Sequence, residues 1–236
     1  MCHDSVKSYV EKWVTELDLS KRKVLDIGSY DVNGKNKDWF TGEYVGLDFR
    51  EGPNVDVVSN SWSIPYDDQS FEVIVSTEML EHDEFPAATF KEIGRLLKPK
   101  GFVILTARGP GYPEHEYPSD FNRFTPQDFR DWLTYLGMEV LDASEDPEAP
   151  GAFAVGYLPE NTTIGGDSPT VRGLCSNRTV NPMDASMKDA YQAKVRKVLY
   201  EFKNKTLKSG KKKVTNRKQA IAIALSEAAH LKKKGK

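Results

Sequence analysis

The sequence has 236 residues, of which 39% are hydrophobic and 29% are charged, and its formal net charge is −2. These proportions are typical of a soluble globular protein, and the length allows one α/β domain with an appendage. No apolar run approaches 18 residues and the N-terminus has no apolar signal-peptide core, so we predict a cytoplasmic protein without a membrane span.

The predicted elements alternate between helices and strands. Apolar residues from Val6 to Leu17 recur at helical spacing and predict a first helix over 4–18, which would cover one face of a sheet. Further helices are predicted near 34–40, 86–98 and 126–137. Strands are predicted at about 23–28, 43–48, 54–58, 71–76, 101–107, 138–143 and 151–157.

The first two strands carry the pattern of a nucleoside-binding site. Residues 24–34 read VLDIGSYDVNG, in which Gly28 permits a tight turn directly after a buried strand. Asp48 follows 22 residues after Asp26, at the tip of the next strand, where a carboxylate can accept both hydroxyls of a ribose. The turn lacks the GxGxxG of a pyrophosphate site and contains Asp31. It therefore suits a ligand without phosphate and with positive charge, such as S-adenosylmethionine.

Further motifs follow in order along the chain. Residues 54–82 read NVDVVSNSWSIPYDDQSFEVIVSTEMLEH, and residues 96–107 read LLKPKGFVILTA. Over about residues 20–160 the chain resembles class I S-adenosylmethionine-dependent methyltransferases. The resemblance implies a doubly wound, Rossmann-like α/β fold with a seven-stranded sheet whose last strand is antiparallel. The chain departs from the family pattern at Asn60, where Asp is common, and at Lys100, where Gly is common.

The resemblance also implies roles in cofactor binding. Asp48 is expected to bind the ribose, and Gly28 to lie under the methionine portion. Asp26 is either a partner of the cofactor ammonium or a structural cap on the loop. Asn60 is placed at the adenine edge. The predicted cofactor-binding set is Asp26, Gly28, Ser29, Asp48, Phe49, Asn60, Ser61, Trp62, Ser76 and Thr77.

Two histidines are candidate catalytic groups, since a near-neutral pKa suits proton removal. His82 ends the run STEMLEH, in which the Glu-His pair has the alternative role of orienting the loop. His115 belongs to 109–124, which resembles an H-x-x-P-x-D-[YF]-x-R-[FY] segment in a subset of the family. Tyr117, Asp120 and Arg123 are the candidate substrate contacts, although Asp120 and Arg123 also have the spacing of an i, i+3 pair.

No metal site or catalytic thiol is predicted. Cys2 and Cys175 are far apart in the sequence and indicate neither a disulfide framework nor a metal site. They also do not fit the nucleophile of cytosine C5 methylation. The sequence has STEM after the fourth strand, where DNA amino methylation would place an N/D-P-P-Y run.

The C-terminal part differs sharply in charge. From 188 to 236 there are 16 Lys and Arg and three acids, which leaves 17 basic and 32 acidic residues in the rest of the chain. We predict a methyltransferase domain over 1–160, a linker over 161–187 and a basic helical module over 188–236. The module resembles one of unknown function in phage and bacterial proteins. It is expected either to bind nucleic acid or to dock on the acidic domain.

The predicted function is methyl transfer from S-adenosylmethionine to an oxygen or nitrogen of a small-molecule or glycan-like acceptor. One alternative is an RNA or DNA methyltransferase guided by the basic module. Another is a virion or nucleic-acid-binding protein whose methyltransferase domain is non-catalytic. For a viral protein, the expected location is the host cytoplasm, with association with the virion.

Overall fold

The computed structural model describes residues 4–32, 34–115, 119–162, 169, 173–174, 208–209 and 212–214. The chain divides into two compact units, the first formed by 1–62 and 68–180 and the second by 63–67 and 181–236. Most of the predicted linker and most of the predicted basic helical module lie outside the described residues and stay predictions. Within the described residues no helix is long and apolar enough to cross a membrane.

The first unit is built on a seven-stranded sheet. Its strands are β1 (Val24–Ile27), β2 (Tyr44–Asp48), β3 (Val57–Val58), β4 (Phe71–Thr77), β5 (Leu97–Arg108), β7 (Glu139–Glu145) and β8 (Gly151–Tyr157). They lie in the order β3-β2-β1-β4-β5-β8-β7. Strands β1 to β5 pair in parallel, whereas β8 is antiparallel to both β5 and β7. The predicted doubly wound sheet with an antiparallel last strand is therefore confirmed.

In the described part of the chain, two short antiparallel strand pairs lie outside this sheet. In the first unit β6 (Asn122–Arg123) pairs with β9 (Gly173–Leu174). In the second unit β10 (Lys208–Ser209) pairs with β11 (Lys212–Lys213), inside the segment predicted as a basic helical module.

Among the described residues, three α-helices flank the sheet: α1 (Asp4–Glu16), α2 (Pro86–Leu96) and α3 (Pro126–Tyr135). Helix α3 begins at a capping box, because the Thr125 hydroxyl and the Asp128 carboxylate each accept from the other residue's backbone N–H. Helix α2 ends at Leu96, two residues earlier than predicted. Leu97 already has the extended backbone of β5, and Pro99 disfavours helical geometry in Lys98.

The helix predicted over 34–40 is wrong. The chain forms only a four-residue 3₁₀ turn there, Asn36–Trp39, with no side-chain cap at its start. A second 3₁₀ turn, Leu80–His82, follows β4. Lys100 adopts a φ of +63°, which accounts for the glycine common at this position in the family, since a left-handed residue with a side chain costs about 1–2 kcal/mol.

The hydrophobic core lies on both faces of the sheet. Strand β1 is buried along its whole length, and Val10 and Val14 of α1 pack in one cluster with Val24. Among the aromatic rings of the core, Phe90 of α2 stacks on Trp132 of α3 at a centroid distance of 4.6 Å. These layers fix the carboxyl ends of β1, β2 and β4, where parallel α/β sheets bind ligands.

Candidate active site

A cleft of about 460 Å³ opens at the carboxyl ends of β1, β2 and β4. This volume is within the range of small-molecule sites, about 300–1,000 Å³. Of the residues that the sequence predicts for cofactor binding, all but Ser76 line it. The Ser76 hydroxyl instead donates to the Ile27 carbonyl at 3.0 Å and ties β4 to β1.

Gly28 forms the turn at the end of β1. Its φ is +87°, and a Cβ there would lie 2.4 Å from Cγ of Met79. The backbone N–H groups of Gly28 and Ser29 both donate to the Leu47 carbonyl, at 2.8 and 3.0 Å. The turn therefore requires glycine both for its backbone conformation and for the close approach of the loop after β4.

Asp26 is buried under the cleft and holds three parts of the fold together. Its oxygens each accept from Nδ2 of Asn36 at 3.2 Å, and one also accepts from the Tyr44 hydroxyl. Asn36 Nδ2 also lies 3.1 Å from the Thr77 hydroxyl. Burial raises the pKa of Asp26 to about 6, against the opposing effect of these hydrogen bonds. Asp26 thus lines the cleft and also has the capping role.

Asp48 lies at the tip of β2 on the cleft wall, as predicted. Its Oδ1 accepts from the backbone N–H of Arg50 at 3.1 Å, and burial raises the pKa of its carboxyl group. Two large apolar side chains beside it, Val32 and Phe49, are 63% and 60% exposed and also line the cleft. A carboxylate next to exposed apolar side chains suits a ribose with its attached base.

The loop after β3 contributes Asn60, Ser61 and Trp62 to the cleft. The Ser61 hydroxyl is held by a buried network, since it donates to Asp83 Oδ2 at 3.2 Å and accepts from Thr89 at 2.9 Å. The Trp62 ring packs edge-on against Phe85, with centroids 4.8 Å apart. Packing therefore fixes the shape of this wall.

His82 and His115 come together on the cleft wall although 33 residues separate them. Their Nε2 atoms are 3.2 Å apart, and the rings are nearly perpendicular, at 88°. His82 Nδ1 lies 3.1 Å from the Ser119 carbonyl oxygen, which makes Nδ1 the protonated nitrogen and leaves Nε2 with its lone pair. Burial lowers the pKa of both imidazoles.

Asp120 and Arg123, predicted as substrate contacts, do not line the cleft. Both are buried, and Arg123 Nη2 donates to Asp120 Oδ2 at 2.7 Å. The guanidinium also donates to the carbonyl oxygens of Tyr112, Pro113 and Asn122. The structure therefore corrects the predicted substrate-contact role of Asp120 and Arg123 to the alternative, an i, i+3 ion pair. The hydrogen bonds of the guanidinium stabilise the loop, and the guanidinium does not line the cleft. Tyr117, the third predicted contact, lies outside the described residues.

A buried network of charged residues, which was not predicted from the sequence, lies next to the loop after β4. Arg108, 2% exposed, pairs with Glu78 and lies 3.0 Å from Asp146 Oδ2. Glu78 also accepts from the Thr106 hydroxyl at 2.9 Å and has a φ of +52°. Burial and nearby Glu81 raise the pKa of Glu78, whereas Arg108 opposes that shift.

Residues 12–105 match a family model described as "Methyltransferase domain". Residues 187–236 match one described as "Family of unknown function (DUF6496)". A search of curated proteins finds no match to this sequence.

Several solved structures resemble the fold. Burkholderia thailandensis 1,6-didemethyltoxoflavin-N1-methyltransferase, solved with 1,6-didemethyltoxoflavin and S-adenosylhomocysteine, is 15% identical with a TM-score of 0.55, over 66% of this chain and 79% of that one. The Pyrococcus horikoshii protein PH0226 is 18% identical with a TM-score of 0.51, over 64% and 89%. The [4+2]-cyclase SpnF is 14% identical with a TM-score of 0.50, over 64% and 81%.

These similarities show the shared fold, while the domain match covers β1 to β4 and most of β5, including the cleft lining from Asp26 to Glu84. Residues 12–105 of the chain therefore carry a methyltransferase domain, and the structures that share its fold include one solved with S-adenosylhomocysteine.

Proposed function

We propose that this chain transfers the methyl group of S-adenosylmethionine to an oxygen or nitrogen of a small-molecule or glycan-like acceptor. The observation that carries this proposal is that one cleft contains both Asp48, the predicted ribose ligand, and the His82–His115 pair. The predicted ribose ligand and polar groups that suit the acceptor side therefore line the same cleft.

Methyl transfer mainly requires the protein to align the cofactor with the acceptor. The acceptor lone pair attacks the methyl carbon, the carbon–sulfur bond breaks, and the sulfonium becomes a thioether. A protonated acceptor also loses its proton to a group in the cleft or to water. The enzyme contributes by holding the two reactants in line and by excluding water.

The size of the cleft favours a small acceptor. A volume of about 460 Å³ has to receive both the cofactor and the reacting part of the acceptor. Exposed Val32 and Phe49 provide apolar surface beside Asp48, whereas the histidine pair provides polar atoms that suit an acceptor hydroxyl or amine. The acceptor is thus a small polar molecule, or the end of a larger one such as a glycan.

The test is a two-stage assay. Calorimetry first measures binding of S-adenosylmethionine and S-adenosylhomocysteine to the purified full-length chain. Extracts fractionated by size are then incubated with the protein and a methyl-labelled donor. We expect label in a low-mass polar fraction. Cofactor binding without any transferred label would contradict the proposal and favour a non-transfer chemistry, as in the similarly folded cyclase.

A second candidate is methylation of RNA or DNA guided by the basic module. The observation in its favour is the excess of basic residues from 188 to 236, 16 against three acids. The same labelled assay separates the two proposals, because label in nucleic acid that disappears on removal of 188–236 supports the second candidate.

A further inference from the structure

Three potential metal ligands converge at the histidine end of the cleft. His82 ends the 3₁₀ turn after β4, whereas His115 and Asp120 lie in the loop after β5. Each of the three residues offers one ligand atom, and these atoms lie within 4.8 Å of one another. The fold thus brings two imidazoles and one carboxylate together from separate segments. Because two ligands with bonds of about 2.0–2.1 Å lie at most about 4.2 Å apart, the Asp120 carboxylate has to move toward the Nε2 atoms when an ion binds.

The positions of the two imidazoles match those of two histidines bound to one metal ion. The Ser119 carbonyl holds Nδ1 of His82, so the lone pair of Nε2 points toward His115. Metal–imidazole bonds are about 2.0–2.1 Å long. Two nitrogens 3.2 Å apart at that bond length subtend an angle of about 100° at the metal, close to tetrahedral. A carbonyl that orients a ligating histidine through its other nitrogen is a common second-shell arrangement.

The Asp120 carboxylate contributes a negative charge and one oxygen that is available as a ligand. Asp120 Oδ2 lies 3.0 Å from His115 Nδ1 and accepts from Arg123 and from the His115 backbone N–H. The other carboxylate oxygen, Asp120 Oδ1, is buried without a hydrogen-bond partner in the described part of the chain and lies 3.8 Å from His82 Nδ1. Leaving a buried polar group unsatisfied costs about 1–3 kcal/mol. A cation beside the carboxylate would remove that cost.

We propose that His82, His115 and Asp120 form a binding site for a divalent transition-metal ion. Imidazole ligands favour Zn²⁺, Co²⁺ or Ni²⁺ over Mg²⁺ and Ca²⁺, which prefer all-oxygen sites. The competing arrangement is a direct hydrogen bond from His115 Nε2–H to His82 Nε2, which needs no ion.

The ion would serve the acceptor side of the proposed methyl transfer, and this part of the inference rests on that function. Both histidines line the cleft, so a free coordination position would face the acceptor. A metal ion lowers the pKa of a bound hydroxyl and orients it. The acceptor class is then narrowed to molecules that present a hydroxyl or a similar oxygen ligand.

The test uses the tag-free, full-length chain carrying Cys2→Ser and Cys175→Ser, which removes thiol ligands. After treatment with a chelator, Co²⁺ is titrated while the visible absorption and the heat of binding are recorded. We expect one saturable equivalent with the strong absorption of a near-tetrahedral site. His82→Gln and His115→Gln should each weaken Co²⁺ binding at least tenfold.

The matched control is the double variant His3→Gln/His230→Gln, because the chain has four histidines in all. It should bind Co²⁺ like the parent. No saturable binding, or binding that only the control variant abolishes, would overturn the proposal.

A second measurement on the cysteine-free parent covers the case in which a histidine variant fails to fold. The imidazole NMR signals of two histidines should shift or broaden with Co²⁺, and those of the other two should not. Shifts confined to His3 or His230 would overturn the site. Cofactor binding measured in parallel separates the two proposals, since intact S-adenosylmethionine binding without metal binding would remove only this inference.

Discussion

Asn36 donates from a single amide nitrogen to both carboxylate oxygens of Asp26, at 3.2 Å each. This contact ties the 3₁₀ turn after β1 to the end of that strand. It places an uncharged donor against a buried carboxylate whose pKa is raised to about 6. The floor of the cleft therefore carries a negative charge that, within the described part of the chain, is stabilised by hydrogen bonds.

That arrangement makes stability depend on pH. The Asp26 carboxyl binds its proton more tightly in the folded chain, where its pKa is about 6, than in the unfolded chain, where it is 3.8. The free energy of unfolding should therefore fall as pH rises from about 4 to about 6, by up to about 3 kcal/mol at 1.36 kcal/mol per tenfold change in proton affinity.

Urea denaturation of Asp26→Asn and the parent at pH 5 and pH 8 checks this dependence. The variant should lose less stability than the parent between the two pH values. Asp38→Asn, which alters an exposed carboxylate of the neighbouring 3₁₀ turn, is the control and should follow the parent. Equal pH dependence in all three proteins would show that Asp26 titrates normally.

Gly28→Ala should destabilise the protein more than Gly111→Ala. Both glycines have positive φ, +87° and +93°, but a Cβ at 111 would have its nearest contact at 3.8 Å, against 2.4 Å at 28. The strain of positive φ, about 1–2 kcal/mol, is common to both variants. Thermal melts should show the difference, and only Gly28→Ala should weaken cofactor binding. Equal effects would mean that the approach of Met79 is unimportant.

His115→Gln and Arg123→Ala should separate the acceptor side from the loop scaffold. Removing the buried Arg123 leaves Asp120 without its ion-pair partner, which typically costs about 3–5 kcal/mol, so a lower melting temperature is expected. His115→Gln should reduce methyl transfer yet keep cofactor affinity within about 0.5 kcal/mol. A strong loss of cofactor affinity in a folded His115→Gln would place that loop over the cofactor instead.

Nucleic acid binding by the basic module should depend steeply on salt. If 188–236 contacts duplex DNA, the slope of log affinity against log salt is about −0.9 for each phosphate neutralised. Removing the module should then abolish DNA binding and leave cofactor binding unchanged. A full-length protein that never binds DNA, with a truncated form that melts early, would assign the module to structural docking.

Much of the fold was predictable because alternating buried runs and turns determine the strands. The sequence also located Asp48 and Gly28, since both follow directly from strand ends. It did not locate Asn36 or Tyr44, because their role depends on which side chains face the buried Asp26. His82 and His115 were each predicted as candidate catalytic residues. Their 3.2 Å contact was not predicted, because two separate loops bring them together. Arg108 escaped prediction for the same reason, as its partners Glu78 and Asp146 lie far apart in the sequence.

The central claim is that S-adenosylmethionine binds in the cleft with its ribose on Asp48. Calorimetry of the parent, Asp48→Ala and the control Glu139→Ala, which alters an exposed residue of β7, tests it most directly. We expect a micromolar Kd for the parent and the control, and a loss of about 1.5–3 kcal/mol for Asp48→Ala, as for hydrogen bonds to a charged group. Unchanged affinity in a folded Asp48→Ala, or tight NAD binding without S-adenosylmethionine binding, would contradict the claim.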